Sequence, residues 1–180
     1  MILSMQLFAL TWSVGASTDY GGRLKFNENL KVMVTRKGIP LLNSYYDYYF
    51  NVKTKEFEQW TALYSSFEIN QNLSYHEIII PTKDSERSTY LTKMLLTNNY
   101  HVMLPGPTGT GKSINSYNLL TSGLDETYQY ISIVFSAQTS ANQTQDTIDL
   151  KLEKIKRGVF GAPVGKKYIV FVDDLNMPKK

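Results

Sequence analysis

Apolar residues recur along this chain with two different periods, and each change of period marks an element boundary. At the start, Leu3, Leu7, Leu10 and Val14 fall at helical spacing, and Phe8 and Trp12 widen the face, which predicts a buried helix. Residues 15–22, with three glycines, interrupt it. Phe26, Leu30 and Met33 then resume helical spacing in a second helix that Gly38 and Pro40 close. The aromatic-rich runs 45–50 and 56–60, joined by polar Asn51-Val52-Lys53-Thr54-Lys55, predict a β-hairpin. No basic residue interleaves within 45–50, so the tyrosines read as packing for the hairpin rather than as a stacking platform for single-stranded nucleic acid.

Ile78-Ile79-Ile80 and Pro81 form an extended apolar segment leading to a helix that Thr82 or Asp84 can cap. Leu91, Met94 and Leu95 give that helix a core-facing side, and Asn98-Asn99 stops it. Val102-Met103-Leu104 reads as a buried strand, 113–120 as a helix ended by Gly123, and 131–135 as the next strand. A long polar helix over 140–156 and a third strand over 168–172 complete the pattern. Strand, loop, helix, strand, helix, strand is the order of a parallel α/β sheet.

The first of these strands empties into Gly106, Pro107, Thr108, Gly109, Thr110, Gly111, Lys112 and Ser113, a full match to G-x-x-x-x-G-K-[ST]. The chemistry explains the spacing. Glycines let backbone N–H groups turn inward on a triphosphate, and the following helix directs its positive end at the same anion. Lys112 reaches the β- and γ-phosphates, and Ser113 offers its hydroxyl to magnesium. Ile169-Val170-Phe171-Val172 running into Asp173 supplies the second half of such a site, about sixty positions after Ser113. Such a site needs a carboxylate at a strand end to hold magnesium opposite the loop hydroxyl, a role that falls to Asp173. Asp174 would polarise the attacking water. The plainer reading of Asp173-Asp174 is an acidic turn leaving a strand.

Composition narrows the picture little. Of 180 residues, 42% are hydrophobic and 19% charged, ordinary for a soluble globular chain. Nineteen basic against sixteen acidic residues leave a net charge of +3. The densest basic group, Lys151, Lys154, Lys156 and Arg157, reads as a solvated helix face, not a nucleic-acid footprint. No cysteine is present, which excludes disulfides and thiolate metal sites. His76 and His101 are too isolated for a metal site. The apolar run 2–14 is too short to span a bilayer and lacks the basic start of a secretory signal, since no basic residue precedes Arg23.

Taken together, HVMLPGPTGTGKS, IVFSAQTSANQTQDTID and KRGVFGAPVGKKYIVFVDDLNMP resemble the third AAA+ module of a dynein heavy chain, closer to the axonemal than to the cytoplasmic class. TWSVGASTDYGGRLKF resembles the C-terminal helical part of the preceding module. YYDYYF with Trp60 resembles the hairpin-bearing connector, and IIIPTKDSERSTYL the segment entering the third module. The resemblance implies a partial P-loop AAA+ parallel sheet with helices, preceded by a small helical segment and a hairpin connector. It divides the chain at 1–40, 41–77 and 78–180. It further implies ATP and Mg2+ as ligands. Residues 106–113 would lie on the phosphates, Ser113 and Asp173 on the metal, Asp174 at the hydrolytic position, and Ile80, Pro81 and Thr82 near the adenine.

In function, the resemblance implies a piece of an ATP-driven, minus-end-directed microtubule motor of the cytoplasm and cytoskeleton, in the axoneme of a cilium or flagellum. Its partners would be neighbouring AAA+ modules of the same heavy chain, with microtubules and intermediate and light chains reached through the full-length protein, and neither nucleic acid nor membrane. Two positions depart from the family pattern. Pro105 stands where many relatives have an N–H donor, and Asp174 where most AAA+ ATPases carry Glu. Only eight residues follow Val172, so the chain reads as a fragment without its sensor, lid or arginine finger, one that alone would lack turnover and would leave open strand edges. The alternatives are a nucleotide-binding strut with little turnover, and an unrelated P-loop NTPase such as a helicase subunit.

Overall fold

A computed structural model describes residues 1–35, 40–64, 67–68 and 78–178, which fall into two compact units, 1–87 and 88–180. The first unit opens with α1 (Ile2–Ser13) and α2 (Tyr20–Thr35). Asp19 starts α2 by accepting a 2.7 Å hydrogen bond from the Gly22 backbone. That cap satisfies an otherwise orphaned donor, so Gly21 and Gly22 lie inside the first turn and the expected break is confined to the residues before Tyr20. The buried face of α1 is Leu7, Phe8 and Thr11, while Leu3 and Val14 are exposed. In α2 the core position belongs to Val34, and Met33 faces solvent. Gly38 lies outside the described residues.

A short 3-10 turn, Tyr45–Asp47, leads into the expected hairpin of β1 (Tyr48–Asn51) and β2 (Glu56–Gln59), paired antiparallel with Tyr48 opposite Gln59. Leu7, Leu30, Val34 and Tyr45 form the core between helices and hairpin, and Trp60 beside them is fully buried. Several buried polar groups are paired across these elements. The Asn27 side chain donates to Asn43 O at 3.1 Å and accepts from Tyr45 N at 3.0 Å, and Trp60 Nε1 donates to Tyr46 O at 2.9 Å. Tyr46 donates its hydroxyl to Gly15 O at 2.9 Å. A Cβ at Gly15 would meet the Tyr46 hydroxyl oxygen at 2.4 Å, so the close approach requires glycine. On β2, hydrogen bonds from Tyr49, Asn51 and Thr54 hold the half-buried Glu58 carboxylate below its ordinary range.

Helix α3 (Lys83–Thr97) carries the chain out of the first unit. Thr82 caps it as expected, its Oγ1 accepting from Ser85 N at 3.2 Å. Lys83 donates to the Asp47 carboxylate, and the Arg87 guanidinium lies 5.3 Å from the centre of the Trp12 ring. The buried residue of α3 is Thr92, and Met94 and Leu95, expected to face the core, are exposed.

In the second unit, α4 (Lys112–Asn118) runs into a π-turn, Leu119–Gly123, whose Leu119 and Leu120 are buried. Strand β3 (Tyr128–Val134) follows. Helix α5 (Ala141–Asp149) opens with a capping box in which Ser140 and Gln143 exchange side-chain-to-backbone hydrogen bonds at 3.0 and 3.2 Å. The long helix expected over 140–156 ends there. β4 (Glu153–Lys156) and β5 (Val159–Gly161) form an antiparallel hairpin instead. Its turn contains Gly158 at φ 75°, a left-handed conformation that glycine adopts freely and a helix cannot accommodate. Lys154, Lys156 and Arg157 therefore sit on an exposed hairpin, not on a helix face.

Strand β6 (Lys167–Asp173) pairs parallel with β3, in register from Tyr128 opposite Lys167 to Val134 opposite Asp173. This is the parallel pair expected of a partial α/β sheet, with Ile131 and Ile133 buried on one face. Val102-Met103-Leu104, expected as a buried strand, joins none of the sheets among the described residues, and Met103 is 73% exposed. A strand exists through its ladder, and three apolar residues without a paired neighbour remain extended coil.

Replacing Trp60 by Ala should destabilise the first unit by about 3–5 kcal/mol, because a large cavity opens and Tyr46 O loses its donor. A urea titration reads the loss directly. A shift of less than about 1 kcal/mol would show that Trp60 does not hold this core.

Candidate nucleotide site

Two short-range periodicities place the chemistry. On α4, Ser113 and Tyr117 are four residues apart and share a face, and on β6, Phe171 and Asp173 are two apart and share the other. Tyr117 packs edge-on against Phe171 at 5.0 Å between ring centres, and its hydroxyl lies 2.6 Å from Ser132 Oγ on β3. Ser132 is the register partner of Phe171, so one tyrosine touches both strands of the pair. One helical turn before that contact, Ser113 Oγ donates to Asp173 Oδ1 at 3.0 Å. The two halves of the motif, read sixty residues apart, thus meet side chain to side chain. Tyr117 escaped the reading of the sequence; its signal was the i+4 spacing from Ser113.

The loop itself is turned by Gly109 at φ 78° and Gly111 at φ 76°, both left-handed. Lys112 folds back over it. Its ammonium donates to Gly106 O at 2.9 Å, to Pro107 O at 2.5 Å and to Thr110 Oγ1 at 3.1 Å. Thr110 in turn donates its hydroxyl to Pro107 O at 3.0 Å. Thr108 is exposed at the outer edge of the loop.

Asp173 is held from both sides. Its carbonyl accepts from Phe135 N at 3.0 Å, and its Oδ1 also accepts from Asp174 N at 3.1 Å. Asp174 follows the strand at φ 53°, and its carbonyl accepts from Met177 N at 2.9 Å, closing a turn. Left-handed backbone costs most residues roughly 1–2 kcal/mol, and Asp and Asn are the side chains that tolerate it best. The acidic turn weighed as the plainer reading of Asp173-Asp174 therefore exists, with Asp173 on the strand side and Asp174 inside the turn. Ile80, Pro81 and Thr82 belong to the first unit, where they lead into α3.

Among the described residues no group of three or more His, Asp or Glu side chains could hold a metal by itself. The pair Ser113 and Asp173 nevertheless fits magnesium. Both offer hard oxygen, and ligand oxygens at 2.0–2.1 Å on neighbouring corners of an octahedron lie about 2.9 Å apart, close to the separation found here. An ion on two protein oxygens takes its remaining ligands from phosphate and water, which is how magnesium is commonly bound.

The family described as "P-loop containing dynein motor region" matches residues 67–180, and "Dynein heavy chain AAA lid domain" matches residues 1–62. This chain belongs to the dynein heavy-chain family. It is 38% identical to "Dynein axonemal heavy chain 1" of Mus musculus over 96% of its own length and 4% of that protein. It is 39% identical to "Dynein axonemal heavy chain 3" of Homo sapiens over 97% of its length and 5% of the relative's. Against "Dynein-1-beta heavy chain, flagellar inner arm I1 complex" of Chlamydomonas reinhardtii the identity is 36%, over 97% of this chain. The chain thus spans about one-twentieth of the length of the dynein relatives it matches. The partial AAA+ sheet follows from the same finding, and no described helix is long and apolar enough to cross a membrane.

The left-handed turn at Asp174 makes a stability prediction independent of nucleotide. Asp174→Val should destabilise by about 1–2 kcal/mol while Asp174→Gly is neutral or slightly stabilising. Thermal unfolding of the two variants separates them. Equal melting temperatures would exclude the left-handed conformation.

Proposed function

We propose that this chain is the ATP-binding part of a dynein AAA+ module, and the Ser113–Asp173 hydrogen bond at 3.0 Å is the observation that carries the reading. In this reading, residues 1–40 are the closing helical part of a preceding module, 41–77 the connector, and 78–180 the first part of the ATPase domain. Residues Gly106, Pro107, Thr108, Gly109, Thr110 and Gly111 would wrap the phosphates, all but Pro107 offering backbone N–H groups, and Lys112 would direct its ammonium to the β- and γ-phosphate oxygens. Ser113 and Asp173 hold magnesium, which when bound neutralises charge on the phosphates. Asp174 orients the attacking water and accepts its proton. Ile80, Pro81 and Thr82 border the adenine. In the full-length protein the module joins neighbouring AAA+ modules in a minus-end-directed microtubule motor of the ciliary or flagellar axoneme, with intermediate and light chains as further partners.

A second reading, slow turnover with occupancy acting as a gate, is favoured by Asp174 itself. Its carboxylate is one carbon shorter than the Glu usual at this position, and its backbone is committed to a turn. A catalytic group misplaced by about 1 Å can lose on the order of a hundredfold in rate.

Lys112→Ala should weaken ATP binding about tenfold to a hundredfold, since it removes a charge-assisted hydrogen bond of roughly 1.5–3 kcal/mol. Calorimetric titration with Mg-ATP measures it, and unchanged affinity would remove the phosphate-loop reading. Turnover is decided in the full-length heavy chain by single-turnover hydrolysis. Asp174→Asn should abolish the reaction if Asp174 is the base. A parent rate retained in that variant would show that Asp174 is not the base and remove its catalytic role.

A further inference from the structure

We propose that Tyr117 is a positioning residue that holds Ser113 and Asp173 at the separation magnesium demands, and thereby sets the preference of the nucleotide site for magnesium over calcium. This rests on the reading above and adds to it the residue that governs which divalent ion the pair accepts. Two spacings carry the idea. Four residues of helix rise about 6.0 Å, and two residues of strand about 6.6 Å. Ser113 and Tyr117 on α4 therefore stand over Asp173 and Phe171 on β6 as two rungs of one ladder. Both rungs are made: Ser113 Oγ meets Asp173 Oδ1 at 3.0 Å, and the ring centres of Tyr117 and Phe171 lie 5.0 Å apart.

The aromatic rung is the stiffer of the two. A serine hydroxyl swings on one single bond and follows its helix through small rolls, whereas two rings packed edge-on at 76° hold both distance and orientation. The tip of Tyr117 is held as well. Its hydroxyl lies 2.6 Å from Ser132 Oγ, and Ser132 stands opposite Phe171 in the ladder, so β6 grips the ring and β3 the hydroxyl. With both ends engaged, α4 cannot roll about its axis or slide along β6 without breaking a contact. Magnesium demands near-ideal octahedral geometry at short distances, while calcium accepts a larger and more flexible set of oxygens. A fixed Ser113–Asp173 pair therefore favours the stricter ion. Freeing α4 costs magnesium its geometry and costs calcium little. Tyr117 acts through Ser113 in this scheme.

The test is the affinity of the chain for ATP in three media, with EDTA, with magnesium and with calcium, for the parent, Tyr117→Leu and Tyr117→Phe. Leu keeps the helix propensity and much of the apolar bulk while removing the ring and the hydroxyl. Tyr117→Leu should bind ATP in EDTA as the parent does and lose about tenfold of the magnesium enhancement, with the calcium enhancement nearly unchanged, so that the preference for magnesium falls about tenfold. Tyr117→Phe keeps the ring against Phe171 and should retain most of the preference. A merely structural role would instead weaken binding of Tyr117→Leu by the same factor in all three media, and that result overturns the proposal. So does a parent-like preference in Tyr117→Leu, or a parent that binds ATP equally well with either ion; both leave the phosphate-loop reading intact. A parent that binds no ATP in any medium overturns both. Should Tyr117→Leu fail to fold, Phe171→Leu removes the same ring contact from the strand side, with the same expected and contradicting results.

Discussion

A single hydrogen bond, from Ser113 Oγ to Asp173 Oδ1, joins the end of a glycine loop to the end of a strand sixty residues later, and the site depends on it. It forms only because larger contacts have already fixed both partners. The parallel register of β3 and β6 sets Asp173 opposite Val134, and the Phe135 amide pins the Asp173 carbonyl. Tyr117, one turn beyond Ser113, lies against Phe171 and Ser132 and so fixes the rotation of α4 about its axis. A slip of one residue in the ladder would reverse every side chain on β6 and point Asp173 away from α4. The short polar contact thus reports the correctness of the whole strand–helix arrangement, and it presents two hard oxygens at a spacing suited to magnesium.

Around this pair the charged groups are restrained by backbone rather than by other charges. The Lys112 ammonium is hydrogen-bonded to loop carbonyls and a hydroxyl, and Asp173 accepts from a serine hydroxyl and a backbone amide. Such partners give way to a triphosphate more readily than a salt bridge would, because neutral acceptors bind an ammonium less strongly than an anion does. Asp174 differs, since its backbone closes a turn and the left-handed conformation suits Asp better than Glu. The shorter carboxylate at this position has a conformational reason independent of any demand for slow chemistry.

Much of this was legible in the chain alone. The glycine loop, the apolar run into Asp173, the tyrosine-rich hairpin and the Thr82 cap are local signals, each written within about ten residues, and each appears where expected. What was not legible depends on neighbours. Val102-Met103-Leu104 has a strand's composition but no ladder partner among the described residues. Residues 153–156 carry alternating charge that suits a helix face as well as a strand, and Gly158 at positive φ decides for the hairpin. In and just after α1 apolar residues fall on every side of the helix, so periodicity could not tell that Leu7 and Phe8 face the core while Leu3 and Val14 do not. The Ser113–Asp173 pairing was readable as a requirement of the chemistry. The Tyr117 contact that enforces it was not, because no motif names that position.

The most direct test of the account is a double-mutant cycle on the central pair, with Ser113→Ala, Asp173→Asn and the double variant titrated with ATP in the presence and absence of magnesium. If the two residues share one ion, their effects on affinity are strongly non-additive with magnesium, with a coupling of roughly 0.5–3 kcal/mol. Without the metal the coupling should shrink to the size of a single hydrogen bond. Additive effects under both conditions would contradict the account, because Ser113 and Asp173 would then act as independent residues that merely lie close together.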